Sequence, residues 1–338
     1  MVDWTKRLNA DPLPWLLDGT APAVRHLALR RLLDRPADDP EVVAARAAAM
    51  ASRPIASILA AQAPDGYWVV PGAGYGPKYS STVWSFMFLD QLGADGSDPR
   101  IGRACEYVIA HTQTSSGGLG SGSSIGVPPP SAVLHCLSGN LLRALIGFGR
   151  LSDERVRRAV EFEAAAVFGA PGIRFFKSGT PGPDFACAAN EGLPCAWGAV
   201  KAVLALARVP VAERSPAIGQ ALRVGVEFLL SRDPAAADYP MGYGNTKPSS
   251  SWFRLGFPSG YVADVLQAME AICEAGAAGD PRLAHAVEWL LAQQDEGGRW
   301  QNRYSYAGRT IAPIDSANLP SRWVTLRACS VLKAVAQA

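Results

Sequence analysis

Apolar positions along this chain recur with helical spacing, and strand-like alternation is scarce. The apolar runs group into helix pairs separated by loops rich in Gly, Pro and Ser. The first helix of most pairs opens on a charged start: Asp98-Pro-Arg, Asp153-Glu-Arg, Arg214-Ser-Pro and Asp280-Pro-Arg. Asp ahead of Pro at the first helical position signals a helix start, and Asp38-Asp39 before Pro40 reads as a helix cap in the same way. The second helix of each pair is apolar on most sides: Thr82–Leu92, Gly139–Phe148, Gly198–Ala207, Tyr261–Ala271 and Trp323–Val335. A helix with an apolar surround is one buried on most sides. These inner helices start at intervals of roughly 57 to 63 residues, a repeat period. Ala23–Leu33 and Glu41–Ala51 add a further, HEAT-like pair at the N-terminal end.

Two loops carry one pattern. Gln62-Ala-Pro-Asp-Gly66-Tyr-Trp68 and Gln294-Asp-Glu-Gly-Gly298-Arg-Trp300 both read Q-x-x-x-G-x-W, and a worn copy ends in Leu at Gln113-Thr-Ser-Ser-Gly117-Gly-Leu119. Each follows an apolar helical run. Gly permits the tight exit from a helix, Trp caps the core of the repeat, and Gln is placed to bond the backbone of the next repeat. An open array of this kind needs polar capping repeats, whereas a closed ring of inner and outer helices needs none. The apolar C-terminal stretch Val331–Val335 favours closure.

The repeated Q-x-x-x-G-x-W resembles the QW motif of the terpenoid cyclases, such as the squalene–hopene cyclases, and the repeats of protein prenyltransferase β subunits. Segments such as CAWGAVKAVLALA (195–207) and LPSRWVTLRACSVLK (319–333) look like an uncharacterised bacterial branch of that superfamily. The resemblance implies an all-α fold, an α/α toroid over residues 52–338, with residues 1–51 as an N-terminal helical extension packed on it. It also implies an isoprenoid or other apolar small molecule in a central cavity. The chemistry does not carry over by residue. The chain has neither the D-x-D-D of alkene-protonating cyclases nor the D-D-x-x-D that holds Mg²⁺ in other terpene synthases.

Composition narrows the partners. The 338 residues are 49% hydrophobic and 18% charged, with a formal charge of +2, enough for a sizeable core. No basic run is long enough for nucleic acid to be the main partner. No G-x-x-x-x-G-K-[ST] loop is present to cradle phosphates. No stretch approaches the roughly 20 apolar residues of a transmembrane span, and the N-terminal sequence lacks an apolar leader. The expectation is a cytoplasmic protein with reduced cysteines, its oligomeric state left open.

Aligning the inner helices by their starts puts Phe86, Arg143, Lys201, Asp264 and Arg327 at one depth. Buried charges must be paired or must line a wet cavity. One reading is a salt bridge from Asp264 to Arg327 or Lys201. The other is a polar layer in which Arg143, Lys201 and Arg327 meet an anionic head group and Asp264 serves as acid or base. Cys136, Cys187, Cys195 and His135, with Asp184 as a substitute for the histidine, have donor types that suit tetrahedral zinc. The alternative is buried structural cysteine. The prenyltransferases also hold zinc at the toroid mouth, but their D-x-C pattern is not reproduced. Tyr79, Trp84, Trp197, Tyr243, Trp252, Tyr261 and Trp323 lie in or beside the loops at the inner-helix starts and are the expected aromatic lining. Three functions follow: a cyclase- or prenyltransferase-like protein, a non-catalytic ligand- or partner-binding toroid, or a carbohydrate-active (α/α)₆ enzyme. The last needs two facing carboxylates, of which only Asp264 is evident.

Overall fold

The computed structural model describes residues 4–122, 125–171, 173, 182–236 and 249–338. Among these, thirteen α-helices occur and paired backbone outside them is limited to isolated bridges. The helices are α1 (Leu13–Leu17), α2 (Pro22–Arg31), α3 (Pro40–Ala51), α4 (Ile55–Ala60), α5 (Thr82–Gln91), α6 (Pro99–Thr112) and α7 (His135–Gly147). They continue as α8 (Glu154–Phe168), α9 (Ala196–Ala207), α10 (Pro216–Leu230), α11 (Val265–Glu274), α12 (Ala284–Leu291) and α13 (Arg322–Gln337).

The inner helices pack in series, α5 on α7, α7 on α9, α9 on α11 and α11 on α13. Helix α2 packs on α13, and its Leu27 lies against Gly93 at the end of α5. The ring is therefore closed, and α2 forms part of the wall of its axis. Helices α3, α4, α6, α8, α10 and α12 lie outside. The difference between the two sets is visible in burial. Nearly every residue of α9 is buried, whereas α6 buries a stripe of Ile101, Ala104, Cys105, Val108 and Ile109.

Short polar signals start the helices as the sequence predicts. Asp39, Asp98, Asp153 and Asp280 each accept a bond from the backbone N–H two residues on, satisfying donors that the first turn leaves free. Arg155 and Arg282 then reach from the start of one outer helix to Glu106 and Glu227 of the preceding one. These ties are exposed and each contributes little.

The Q-x-x-x-G-x-W loops join repeat to repeat. Gln62 Nε2 donates to Arg100 O at 2.9 Å, and Gln113 Nε2 to Arg155 O at 2.7 Å, both at the start of the next outer helix. Gln294 has no later outer helix to hold. Its Oε1 accepts from Asn9 N at 2.8 Å, so the N-terminal segment takes the place of the next repeat and closes the seam. Trp68 and Trp300 are fully buried, and their Nε1 atoms donate to Ile58 O and Leu290 O at 2.7 Å. Gly66 and Gly298 have φ of +103° and +66°, and a Cβ there would meet Arg103 O at 2.7 Å and Ala10 O at 2.1 Å. Only glycine fits both demands.

One inner helix departs from expectation. Helix α11 starts at Val265, not at Tyr261, because the Asp264 carboxylate caps it by accepting from Gln267 N at 2.8 Å. Tyr261–Asp264 stays outside the helix.

Candidate functional site

The axis of the ring holds a narrow cavity of about 40 Å³ walled by α2, α5, α7, α11 and α13 and by Arg208 at the end of α9. Its polar lining is Arg31, Asp90, Gln91, Asn140, Arg143, Arg208, Ser259, Gln267, Glu270 and Arg327. Phe257, Trp323 and Leu326 are among the apolar lining residues. A water needs on the order of 10–15 Å³ by this measure, so the cavity has room for about three waters. Among the described residues, most of the lining of this axial cavity is polar.

The chain's own segment Gly256–Gly260 fills the axis. Its buried backbone groups must find partners, and side chains from distant parts of the ring supply them. Gly256 N donates to Asp264 Oδ2 at 3.0 Å, and Gly256 O accepts from Arg327 Nη1 at 2.8 Å. Asn302 holds both backbone groups of Phe257 at 3.3 and 2.9 Å, and Gln91 holds both of Ser259 at 2.8 and 2.7 Å. Gly260 N donates to Tyr306 Oη, and its carbonyl accepts from Asn140 Nδ2, each at 3.0 Å. Phe257 stacks on Trp323 with ring centroids 4.5 Å apart and planes within 8°.

Lys201, Asp264 and Arg327 meet at this plug, and Arg143 lies further along the axis. They are not at one helical depth, because Asp264 caps α11 whereas the other three lie within their helices. Arg327 grips Glu270 with two bonds, at 2.9 and 2.7 Å, and stands 3.8 Å from Asp264. Lys201 donates to Gln267 Oε1, and Arg143 to Glu274 at 3.1 Å. Burial raises the Asp264 carboxyl above its usual range despite the nearby Arg327 charge. Burial opposes ionisation of Glu270 too, but Arg327, Arg143 and Arg31 together hold it below its usual value. Both oxygens of Asp264 accept backbone bonds, so it positions the plug and α11. Glu270 and Gln267 belong to the same network, and Arg208 pairs with Asp90 in the cavity wall.

Lys201 is 1% exposed, and desolvation brings its ammonium down to about 7, with Asp264 opposing. The folded state therefore binds fewer protons than the unfolded chain between pH 7 and the ordinary lysine value of 10.5. Stability rises with pH where the unfolded chain binds more protons. The unfolding free energy of wild type minus that of Lys201→Met is thus expected to climb from pH 7 toward pH 10. Urea melts across that range check it, and a flat difference would show that Lys201 is charged and compensated throughout.

The four candidate zinc donors are engaged in this structure with partners of their own or stand apart. His135 is fully committed: Nδ1 bonds Glu163 Oε1 at 2.6 Å and Nε2 bonds Gly182 O at 3.0 Å. Burial opposes its protonation, yet Glu163 and the Gly182 carbonyl hold the imidazole above its ordinary value. Asp184 is exposed. Burial drives the Cys136 thiol up to about 12. The neighbouring Cys195 thiol brings the Cys187 thiol down to about 6, against the effect of burial. Among the described residues no three His, Cys, Asp or Glu side chains are grouped to hold a metal.

The aromatic candidates separate. Trp323 lines the axial cavity. Trp252 is buried with Nε1 bonded to Pro234 O at 2.8 Å. Tyr243 lies outside the described residues. Tyr79, Trp84, Trp197 and Tyr261 belong to one cluster near the inner-helix starts. Trp84 has the rings of Tyr79, Tyr75 and Tyr261 at 4.9, 5.5 and 6.0 Å, and Trp197 stands 6.1 Å from Tyr261. Trp84 and Tyr79 are buried, while Tyr75, Trp197 and Tyr261 are half-buried. The exposed Lys78 places its ammonium 5.4 and 5.5 Å from the Tyr75 and Tyr261 rings. Tyr75 and Lys78 stand in the Gly-rich loop before α5, whose aromatic content was the signal for them.

No protein-family model matches the chain, and no curated protein matches its sequence. Among solved structures it is similar to the type II terpene cyclase MstE from Scytonema, determined as a variant with geranylgeranyl dihydroxybenzoate. There the identity is 15%, the match covers 83% of this chain and 95% of that one, and the TM-score is 0.32. A protein from Actinoplanes matches at 17% identity over 86% of this chain and 99% of that one, also with a TM-score of 0.32. No helix among the described residues is long and apolar enough to cross a membrane.

Proposed function

We propose that this chain is a non-catalytic toroid that binds an apolar small molecule at the aromatic mouth formed by Tyr75, Trp84, Trp197 and Tyr261, outside the plugged axis. The observation that carries this reading is the placement of the half-buried Tyr75 and Tyr261 rings around Lys78, with Trp197 beside Tyr261, while Gly256–Gly260 occupies the centre. Ring faces offer apolar contact to an isoprenoid-like body, and the Lys78 ammonium offers a donor to a hydroxyl or acidic end. In this reading Asp264, Lys201, Arg143 and Arg327 brace the lumen and do not act on a substrate.

Tryptophan quenching with farnesol as the probe tests it. Wild type is expected to give a saturable quench. Trp197→Ala is expected to weaken binding by about tenfold or more, the loss of one buried aromatic contact. Trp323→Phe, in the axial wall, is expected to leave affinity unchanged. Absence of a saturable quench, or dependence on Trp323 and not on Trp197, sinks the reading.

A further inference from the structure

The charges around the axial cavity do not balance. Arg31, Arg143, Arg208 and Arg327 face Asp90, Glu270 and Glu274, which leaves one positive charge over. Three of the arginines are spoken for. Arg143 bonds Glu274 at 3.1 Å, Arg208 bonds both oxygens of Asp90 at 2.8 and 3.0 Å, and Arg327 bonds both oxygens of Glu270. The Arg31 side chain lines the cavity and makes no hydrogen bond or ion pair among the described residues. Nearby Lys333 brings no surplus, because it is paired with Asp34 at 2.5 Å. Lys201 and Asp264 are outside the cavity lining: Lys201 donates to Gln267 Oε1, and Asp264 accepts from Gly256 N and Gln267 N. Burial, then the Arg143 charge, pulls the Arg31 guanidinium below its ordinary value, with Glu274 and Glu270 opposing and Arg208 adding to the repulsion. The half-buried Arg31 guanidinium thus has donors left for water or an anion in the cavity.

We propose that the axial cavity is a binding site for a small planar monoanion of the carboxylate type, of formate, acetate or bicarbonate size, held by Arg31 beside Arg143 and Arg208. A guanidinium presents two parallel N–H donors that match a carboxylate. The single surplus charge sets the valence at one. The volume of about 40 Å³ suits an ion replacing about three waters. Entry is past Arg208 and Glu274, whose side chains are 31% and 39% exposed. The site is separate from the aromatic mouth and stands or falls independently of it.

Calorimetric melts and titration calorimetry with sodium formate, against sodium chloride at equal ionic strength, test the assignment in wild type, Arg31→Gln and Arg31→Lys. Formate is expected to raise the Tm of wild type saturably and chloride is not. Arg31→Gln is expected to weaken formate binding about tenfold or more, as loss of a charged hydrogen-bonding partner does. Arg31→Lys keeps the charge without the fork and is expected to fall between the two, which preserves the test if the glutamine variant does not fold. Trp197→Ala is expected to keep the full formate response. Equal responses to chloride and formate, or a formate response that is unchanged in both Arg31 variants, would overturn the site.

Discussion

Arg327→Met is expected to lower the unfolding free energy by about 3–5 kcal/mol, the range for removing one partner of a buried ion pair. Arg327 is 6% exposed and Glu270 9%, so the variant leaves the Glu270 carboxylate buried without its bidentate partner. It also frees the Gly256 carbonyl, a buried acceptor. Urea unfolding measures the loss, and Glu270→Gln in the same background is expected to recover part of it, because the two residues form one network. A cost under about 1 kcal/mol for the single variant would mean that solvent reaches Glu270, since exposed pairs are worth that little.

Trp300→Ala is expected to cost a similar amount, about 3–5 kcal/mol. The indole is fully buried, its Nε1 donates to Leu290 O, and its backbone N–H donates to Thr325 Oγ1 at 2.9 Å, linking α12 to the inner helix α13. The loss falls at the seam where Gln294 and Gly298 receive the N-terminal segment. Thermal melts should therefore show a lowered Tm, and amide exchange should show faster exchange in residues 7–17 than in α7 or α9. Uniform exchange changes would indicate that the seam is no weaker than the rest of the ring.

The helix pairs and the repeat loops were legible in the sequence because their causes are local. Asp before Pro caps a helix, and Gly at positive φ ends one. Glutamines at a fixed offset, Gln62 and Gln113, meet equivalent carbonyls in two successive repeats. The inner-helix register was less legible, since it depends on where each helix begins. Asp264 looks one turn inside α11 only if Tyr261 starts the helix, and the capping bond to Gln267 shows that it does not. The plug was invisible for a different reason. Its partners Gln91, Asn140, Asn302, Tyr306 and Arg327 are remote in sequence, and most of the bonds run from side chain to backbone. A trace was present, however. Asn140, Gln267 and Glu270 are polar residues in otherwise apolar inner helices, and such positions demand partners. The cysteine set was not decidable from sequence, because donor chemistry alone does not show that His135 is bonded to Glu163 and Gly182.

The most direct test of the account is where an apolar ligand sits. A diazirine-bearing farnesol, photolysed with the full-length protein and mapped by peptide mass spectrometry, gives that location. Labelling of the peptides that carry Tyr75, Trp197 and Tyr261 is the predicted result. Labelling confined to the peptides of Met87, Phe257 and Trp323 would place the ligand on the axis and contradict a lumen closed by Gly256–Gly260.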